Sequence, residues 1–497
     1  MTAPDATVML ESRSAGTGDI VASFPIMGAD EVRARVDDAR IAARWWADLG
    51  WDGRAERLTA WKRVIARRSE ELAALVHRET GKPTDDVRLE IILAIDHLHW
   101  ATRNASRVLR SRRVRPSLLT LNQEATLSYE PMGVVGVIGP WNYPVFTPLG
   151  SIAYALAAGN AVVFKPSEWS TSVGAWLVDS FADAVPGPPV LQLVTGAGAT
   201  GAALCDSGAD IISFPGSSAV GKRVMASCAA TLTPVVLECG GKDALLVDAD
   251  ADVEAAADAN AFGADSNAGQ TCVGVERVYA HTDIYDELLA SLARRAEKLR
   301  PGIDADSSYG PMTMPSQAPV VVRHVRDALA RGGRVVHGTI SDDEQARVVS
   351  PVVMADVPED AEAVIEETFG PLVVVNRVQS LDEAVDRANA SDYGLAASIF
   401  CRDKVRARQA ARRLQVGMVS INSWVMYAGV PELPWGGTKE SGIGRIHGAE
   451  GLRGFCQPKS VVRQRFALPV SLTSFGRPSW AAKSILGTFR VRHGGLR

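Results

Sequence analysis

Apolar residues recur at helical spacing through the first hundred positions and at strand spacing after them. Residues 30–48 and 54–79 read as amphipathic helices. In the second, Leu58, Trp61, Val64 and Ile65 share a stripe that Leu72, Leu75 and Val76 continue, and Gly81 and Pro83 punctuate its end. Residues 88–109 repeat the pattern with Leu89, Ile92, Ile95 and Leu98 as the expected inward stripe. The segment Ala125 to Glu130 then alternates as a strand does, and Pro131 to Gly133 break it. Short apolar runs follow at 134–138, 161–164, 190–194 and 211–214, with helical segments between them. Buried strands separated by helices indicate parallel sheet built from βαβ units. A second set has strands at 244–247, 277–280, 372–375 and 417–421 and helices at about 283–299 and 382–390. Two α/β layers account for this better than one.

Composition narrows the class. A chain of 497 residues exceeds one simple core, so about two to four domains are expected. With 46% hydrophobic and 22% charged residues it has an ordinary globular balance, and a net charge of −4 gives no reason to expect nucleic acid as a partner. The six cysteines are scattered, with no CxxC pair, which argues against a disulfide framework, a zinc site or a redox dithiol. Reduced thiols and a cytoplasmic setting are expected, and no metal. Met1 to Leu10 has no secretory h-region, and no run of about 18 apolar residues suggests a spanning helix. One asymmetry stands out. After Glu450 there is no acidic residue, while basic residues including Arg477, Lys483, Arg490 and Arg492 alternate with Phe466, Phe475, Trp480 and Phe489. Such a tail either packs on its parent protein or makes peripheral contact with an anionic membrane.

Two motifs mislead. Gly196 to Gly201 matches GxGxxG, but no acidic residue stands about 20 positions on, where a ribose partner belongs. Gly216 to Lys222 mimics a phosphate-binding P-loop, yet Arg223 replaces its Mg²⁺-binding hydroxyl residue, so an ATPase is not supported. The same stretch, Ser213 to Lys222, reads better as a strand opening into a helix whose free N–H groups suit phosphate oxygens.

The chemistry concentrates at Asn267-Ala-Gly-Gln-Thr-Cys272 and Leu237-Glu238-Cys-Gly-Gly-Lys242. A cysteine among small and polar residues is open to attack chemistry, and a glutamate in a glycine-flanked turn can serve it as a base. Both segments, and their separation, resemble the aldehyde dehydrogenase superfamily. So do Gly139-Pro-Trp-Asn142-Tyr-Pro144, Lys165-Pro-Ser-Glu168, Glu366-Glu367-Thr-Phe369-Gly-Pro371 and Pro434-Trp435 through Arg445, in that family's order over roughly residues 20–460.

The resemblance implies that Cys272 attacks an aldehyde, Glu238 activates the water that hydrolyses the thioester, and Asn142 with the Cys272 N–H forms the oxyanion hole. It implies an NAD site, NADP being possible, from Trp141, Lys165, Glu168, Gly216, Ser217, Gly221, Glu367 and Phe369. Glu168 would take the adenosine ribose and repel a 2′-phosphate, favouring NAD. The implied fold is α/β: a Rossmann-type NAD-binding domain (1–112 and 132–240), a second α/β catalytic domain (241–455) and a small β oligomerisation arm (113–131 and 456–466). A basic extension, 467–497, follows. An edge strand at Val461 to Arg463 suits a homodimer, or a tetramer.

Where much of the family has a lysine and a glutamate as proton relay, this chain has Ser151 and Ile446. Glycine and serine at 150 and 266 replace arginines of the succinate-semialdehyde branch, arguing against an acidic substrate. With Thr147, Gly150 implies a roomy funnel, lined by Trp141, Tyr143, Trp424, Met426, Tyr427 and Trp435, for medium or long, apolar or aromatic aldehydes. Three alternatives compete: a silent nucleotide-binding homologue, a CoA-acylating dehydrogenase, which usually lacks the glutamate, and a cysteine hydrolase needing a histidine partner.

Overall fold

The structure is a computed structural model that describes residues 8–341, 343 and 346–494. The described residues fall into two compact units, one within 8–108 and 131–456, the other within 109–130 and 457–494.

Two sheets organise the larger unit. The first has six strands in the order Gly442–Ile443, Val235–Cys239, Ile211–Gly216, Val134–Ile138, Ala161–Lys165, Leu191–Leu193. All pair in parallel except the first, which returns from far along the chain to lie antiparallel on the strand carrying Glu238. The second has seven strands in the order Arg334–His337, Val352–Ala355, Leu372–Val378, Val275–His281, Asp243–Val247, Ala396–Phe400, Met418–Ile421, antiparallel only at its first pair. Strands such as Val134–Ile138 and Asp243–Val247 are buried throughout, which is why the sequence reads them as continuous apolar runs. The hairpin Met9–Arg13/Ile20–Pro25, and the strands Arg334–His337, Val352–Ala355 and Ala396–Phe400, were not anticipated from the sequence pattern.

Two helical expectations change. The single helix of 54–79 is two, Gly50–Arg67 and Ser69–Thr80. Ser69 starts afresh with Glu70 and Glu71 in its first turn, and the Arg68 guanidinium at the break reaches Glu71 at 2.7 Å and Asp183 at 3.1 Å. The helix Thr84–Leu109 faces the core through Val87, Ile91, Ala94 and Leu98, while the expected Leu89 and Ile92 are 53% and 59% exposed. A buried carboxylate sets that rotation: Glu90 is turned inward to a fully buried ion pair with Lys82 at 2.6 Å.

The smaller unit contains a three-stranded sheet, ordered Cys456–Gln464, Gln123–Pro131, Arg112–Val114, and the helix Ser479–His493. Within it Arg463 pairs with Glu124 at 2.5 Å.

Candidate active site

The cysteine loop is built from its own side chains. Asn267 and Ala268 take left-handed conformations (φ 54° and 56°), and Gly269 follows at φ 71°. At Gly269 a Cβ would strike the carbonyl of Gly370, so only glycine fits. Left-handed backbone costs a non-glycine residue on the order of 1 kcal/mol or more and needs local compensation. Asn267 Nδ2 donates to the carbonyls of Asn142 (3.1 Å) and Gln270 (3.2 Å). Gln270 Nε2 donates back to the Asn267 carbonyl at 2.8 Å, and its Oε1 accepts the Thr313 N–H at 2.9 Å. The Asn-Ala-Gly-Gln sequence is thus the clamp that presents Cys272, the one cysteine that is not fully buried.

Asn142 is fixed from both ends. Its Nδ2 donates to the Gln270 carbonyl at 2.9 Å, leaving the second amide hydrogen for another acceptor. Its own carbonyl accepts from Lys82 Nζ at 2.8 Å. Lys82 also lies 3.9 Å from the centre of the Tyr143 ring. Glu90 Oε1 accepts the N–H groups of Val145 (2.8 Å) and Phe146 (3.0 Å), capping the buried helix Phe146–Ala158 with a carboxylate from a distant element. Lys82 and Glu90 escaped the sequence reading because a buried ion pair leaves no periodic signature. The charge of Glu90 on an otherwise apolar inward stripe was the one available clue.

Glu238 lies next to the end of the strand Val235–Cys239 and is buried. Its Oε1 accepts from Trp435 Nε1 at 3.1 Å, and its charge bears electrostatically on the Cys272 thiol. Burial raises the Glu238 pKa, against the lowering effects of Trp435 and Cys272. Burial, then the negative potential of Glu238, pushes the Cys272 thiol well above its ordinary value. Both shifts favour the protonated forms, at Cys272 the thiol over the thiolate.

The expected nucleotide residues form two groups. Ser217 caps the helix Ser218–Ala229, its hydroxyl accepting from Val220 N at 3.4 Å, so the free N–H groups and positive end of this helix stand where Gly216 leaves the strand. At Gly221 a Cβ would lie 2.9 Å from Cys239 Sγ, so this glycine lets the helix pack on the Glu238 strand. Lys165 is buried, with Nζ 2.9 Å from the Pro166 carbonyl and 3.7 Å from Glu168, whose side chain is partly open. On the second sheet's side, Glu367 Oε1 accepts the Gly241 N–H at 3.2 Å, and Phe369 meets Trp141 edge-on with centroids 5.5 Å apart. Behind them Glu276 accepts from the N–H groups of Thr368 and Phe369 and ion-pairs with fully buried Lys242. A helix start for phosphates, a carboxylate beside a buried cation, and a second carboxylate near an aromatic pair fit a dinucleotide. Gly196–Gly201 has another use: it opens the helix Gly198–Cys205, and Thr200 Oγ1 donates to the Met27 carbonyl at 2.9 Å.

The residues expected to line a roomy funnel are arranged differently. A Cβ at Gly150 would lie 2.5 Å from His447 Nε2, so the imidazole fills the space the glycine leaves. His447 packs on His97, Phe146, Tyr154 and Trp435. Tyr427 is buried against Trp435, whereas Met426 lies exposed and Trp424 is bound to the Val273 carbonyl at 3.1 Å.

The sequence profile of the aldehyde dehydrogenase family matches residues 2–461, and the chain belongs to that family. It is an oxidoreductase acting on aldehydes with NAD or NADP as acceptor. It is 38% identical over 472 residues (95% of this chain, 87% of the relative) to a 4,4′-diapolycopene aldehyde oxidase of Methylomonas. It is 34% identical over 449 residues (89% and 90%) to a probable NADP-dependent succinate-semialdehyde dehydrogenase of Sinorhizobium fredii. Among solved structures, the NADP-dependent glyceraldehyde-3-phosphate dehydrogenase of Bacillus halodurans complexed with NADP superimposes with a TM-score of 0.87 at 31% identity, over 92% of this chain and 96% of that one.

Proposed function

We propose that this protein oxidises medium or long, apolar or aromatic aldehydes to carboxylic acids through a covalent adduct on Cys272. The Cys272 sulfur adds to the aldehyde carbon, and the developing oxyanion is met by the free amide hydrogen of Asn142 and the Cys272 N–H. A bound nicotinamide would supply the hydride acceptor that turns the Cys272 adduct into a thioester. Glu238 takes a proton from water, which attacks the thioester and releases the acid and the thiol. Aldehyde, NAD⁺ and water thus give acid, NADH and a proton. Trp141, Lys165, Glu168, Gly216, Ser217, Gly221, Glu367 and Phe369 would hold the cofactor, and Glu168 favours NAD over NADP.

The observation that carries the reading is the Asn142 amide fixed on the Cys272 loop at the Gln270 carbonyl, with a buried Glu238 carboxyl anchored by Trp435 whose charge bears on the Cys272 thiol. The buried rings of Tyr154, Tyr427 and Trp435 support an apolar substrate, with Gly150 and Ser266 where a carboxylate would need cations. Resemblance to an enzyme named for a carotenoid aldehyde points the same way. NADH formation with an aldehyde panel, with and without CoA, tests the reading. Best kcat/KM for long apolar or aromatic aldehydes, with no need for CoA, is expected; preference for short acidic aldehydes, or dependence on CoA, would refute it.

The exposed Val461 and Val462 on a sheet-edge strand support a homodimer by strand pairing, read by light scattering. Exposed Phe475 and Trp480 beside Arg477 and Lys483 support peripheral contact of the tail with anionic membranes, read by vesicle flotation. No helix among the described residues is long and apolar enough to cross a membrane.

A further inference from the structure

Glu238 is a buried carboxylate whose neighbouring donors set what it can do. Ser151, at the position of the relay lysine, hydrogen-bonds Ser213 at 2.8 Å, and Ile446, at the position of the relay glutamate, is apolar. The donor that does meet the carboxylate is the indole of Trp435, 3.1 Å from Oε1.

We propose that Trp435 is a positioning residue that tethers Glu238 Oε1, leaving the second carboxylate oxygen to the thiol or the attacking water. This rests on the reading of Glu238 as the deacylation base.

The indole is suited to the task because it donates and never accepts. It can bond a carboxylate, or the carbonyl oxygen of the protonated acid, so the tether survives proton transfer in either direction. It is also locked in place. Its backbone forms a two-bond bridge with Ile446, N to O at 2.7 and 2.9 Å. Its ring is walled by Phe146 at 6.2 Å, Tyr427 at 5.7 Å and His447 at 6.1 Å between centroids.

His447 shows that this wall is held against resistance. Its backbone sits at φ 63°, ψ 166°, a region open almost only to glycine. Its Nε2 is buried without a hydrogen-bond partner, and burial drives the imidazole to its neutral form. Strain and an unsatisfied nitrogen in one residue mark a position kept for what it braces, and what it touches includes the Trp435 ring and Phe146 behind it.

Removing the indole donor withdraws stabilisation from the charged carboxylate, so the Glu238 pKa must rise further and the basic form appear only at higher pH. The test is Trp435→Phe, which keeps a ring and loses the N–H. The acyl-enzyme is formed in a single-turnover burst, and its hydrolysis is followed against pH. The burst amplitude counts folded sites, so partial misfolding cannot imitate the result. The expected outcome is an acid limb of hydrolysis moved up by about one pH unit, with hydrolysis below that limb slowed about tenfold more than the burst. An unmoved limb, or burst and hydrolysis slowed by one common factor at every pH, would overturn the proposal. Glu238→Gln, run alongside, separates the two levels. If it stalls hydrolysis while the Trp435→Phe limb stays put, the tether alone is wrong; if it hydrolyses at the wild-type rate, the base assignment fails and the tether with it.

Discussion

Gly150 and His447 share one volume: a Cβ on the glycine would stand 2.5 Å from the histidine Nε2. The glycine therefore makes room for a neighbouring ring, and the space it opens on the helix Phe146–Ala158 is taken by His447. Gly150→Ala should displace the imidazole and lower stability by about 2 kcal/mol, the usual cost of overpacking. Adding His447→Ala should recover much of that loss, because the clash disappears. Thermal midpoints of both single variants and the double variant measure the coupling; strict additivity would contradict the shared volume. His447→Ala should also extend activity toward bulkier aldehydes.

The Lys82–Glu90 pair holds the loop of Asn142 and caps the helix after it. Glu90→Ala leaves a buried ammonium unpaired and two helix-start amides without an acceptor. A loss of roughly 3 to 5 kcal/mol in stability follows. In the folded fraction kcat should fall about a hundredfold through misplacement of Asn142, with the KM for NAD little changed. Unaltered kcat per folded site would show that the loop does not depend on this pair.

Asp265 supplies a pH signature. Burial pushes its carboxyl from 3.8 up to about 7. The folded state therefore keeps this proton where the unfolded chain has lost it. Its contribution to stability is full below about pH 3.8 and is lost as pH rises toward about 7. Asp265→Asn should flatten the fall of the thermal midpoint over that window and raise stability at pH 8 by a few kcal/mol, on the order of the shift itself. Parallel curves for variant and wild type would exclude the effect.

Glu168, partly open beside buried Lys165, bears on cofactor choice. Glu168→Gln should raise the ratio of kcat/KM for NADP over NAD about tenfold, the equivalent of one removed repulsion. Initial rates with the two cofactors read it, and a ratio that stays fixed would place the 2′-phosphate elsewhere.

Much of this architecture was legible in the sequence, and the failures have physical causes. Buried parallel strands such as Ala161–Lys165 announce themselves as apolar runs bounded by glycine. The helix Thr84–Leu109 misled because a buried carboxylate, Glu90, outweighs the apolar count and turns Leu89 and Ile92 to the outside. The Asn267–Cys272 segment could be recognised, but its left-handed clamp could not, since that conformation depends on acceptors from Asn142 and on the close approach of Gly370. Gly150 read as space because a missing side chain says nothing of what moves in. The short return strand Gly442–Ile443, which lies within 241–455 and yet completes the first sheet, is too brief to carry a period.

The central claim is a thioester on Cys272 that Glu238 hydrolyses. The most direct measurement mixes Glu238→Gln with NAD and a long-chain aldehyde, quenches in acid, and weighs the intact protein with peptide mapping. One acyl group per chain on Cys272, formed with one NADH and persisting after wild-type enzyme has turned over, is the predicted result. No adduct on Cys272, or steady turnover at the wild-type rate, would contradict it.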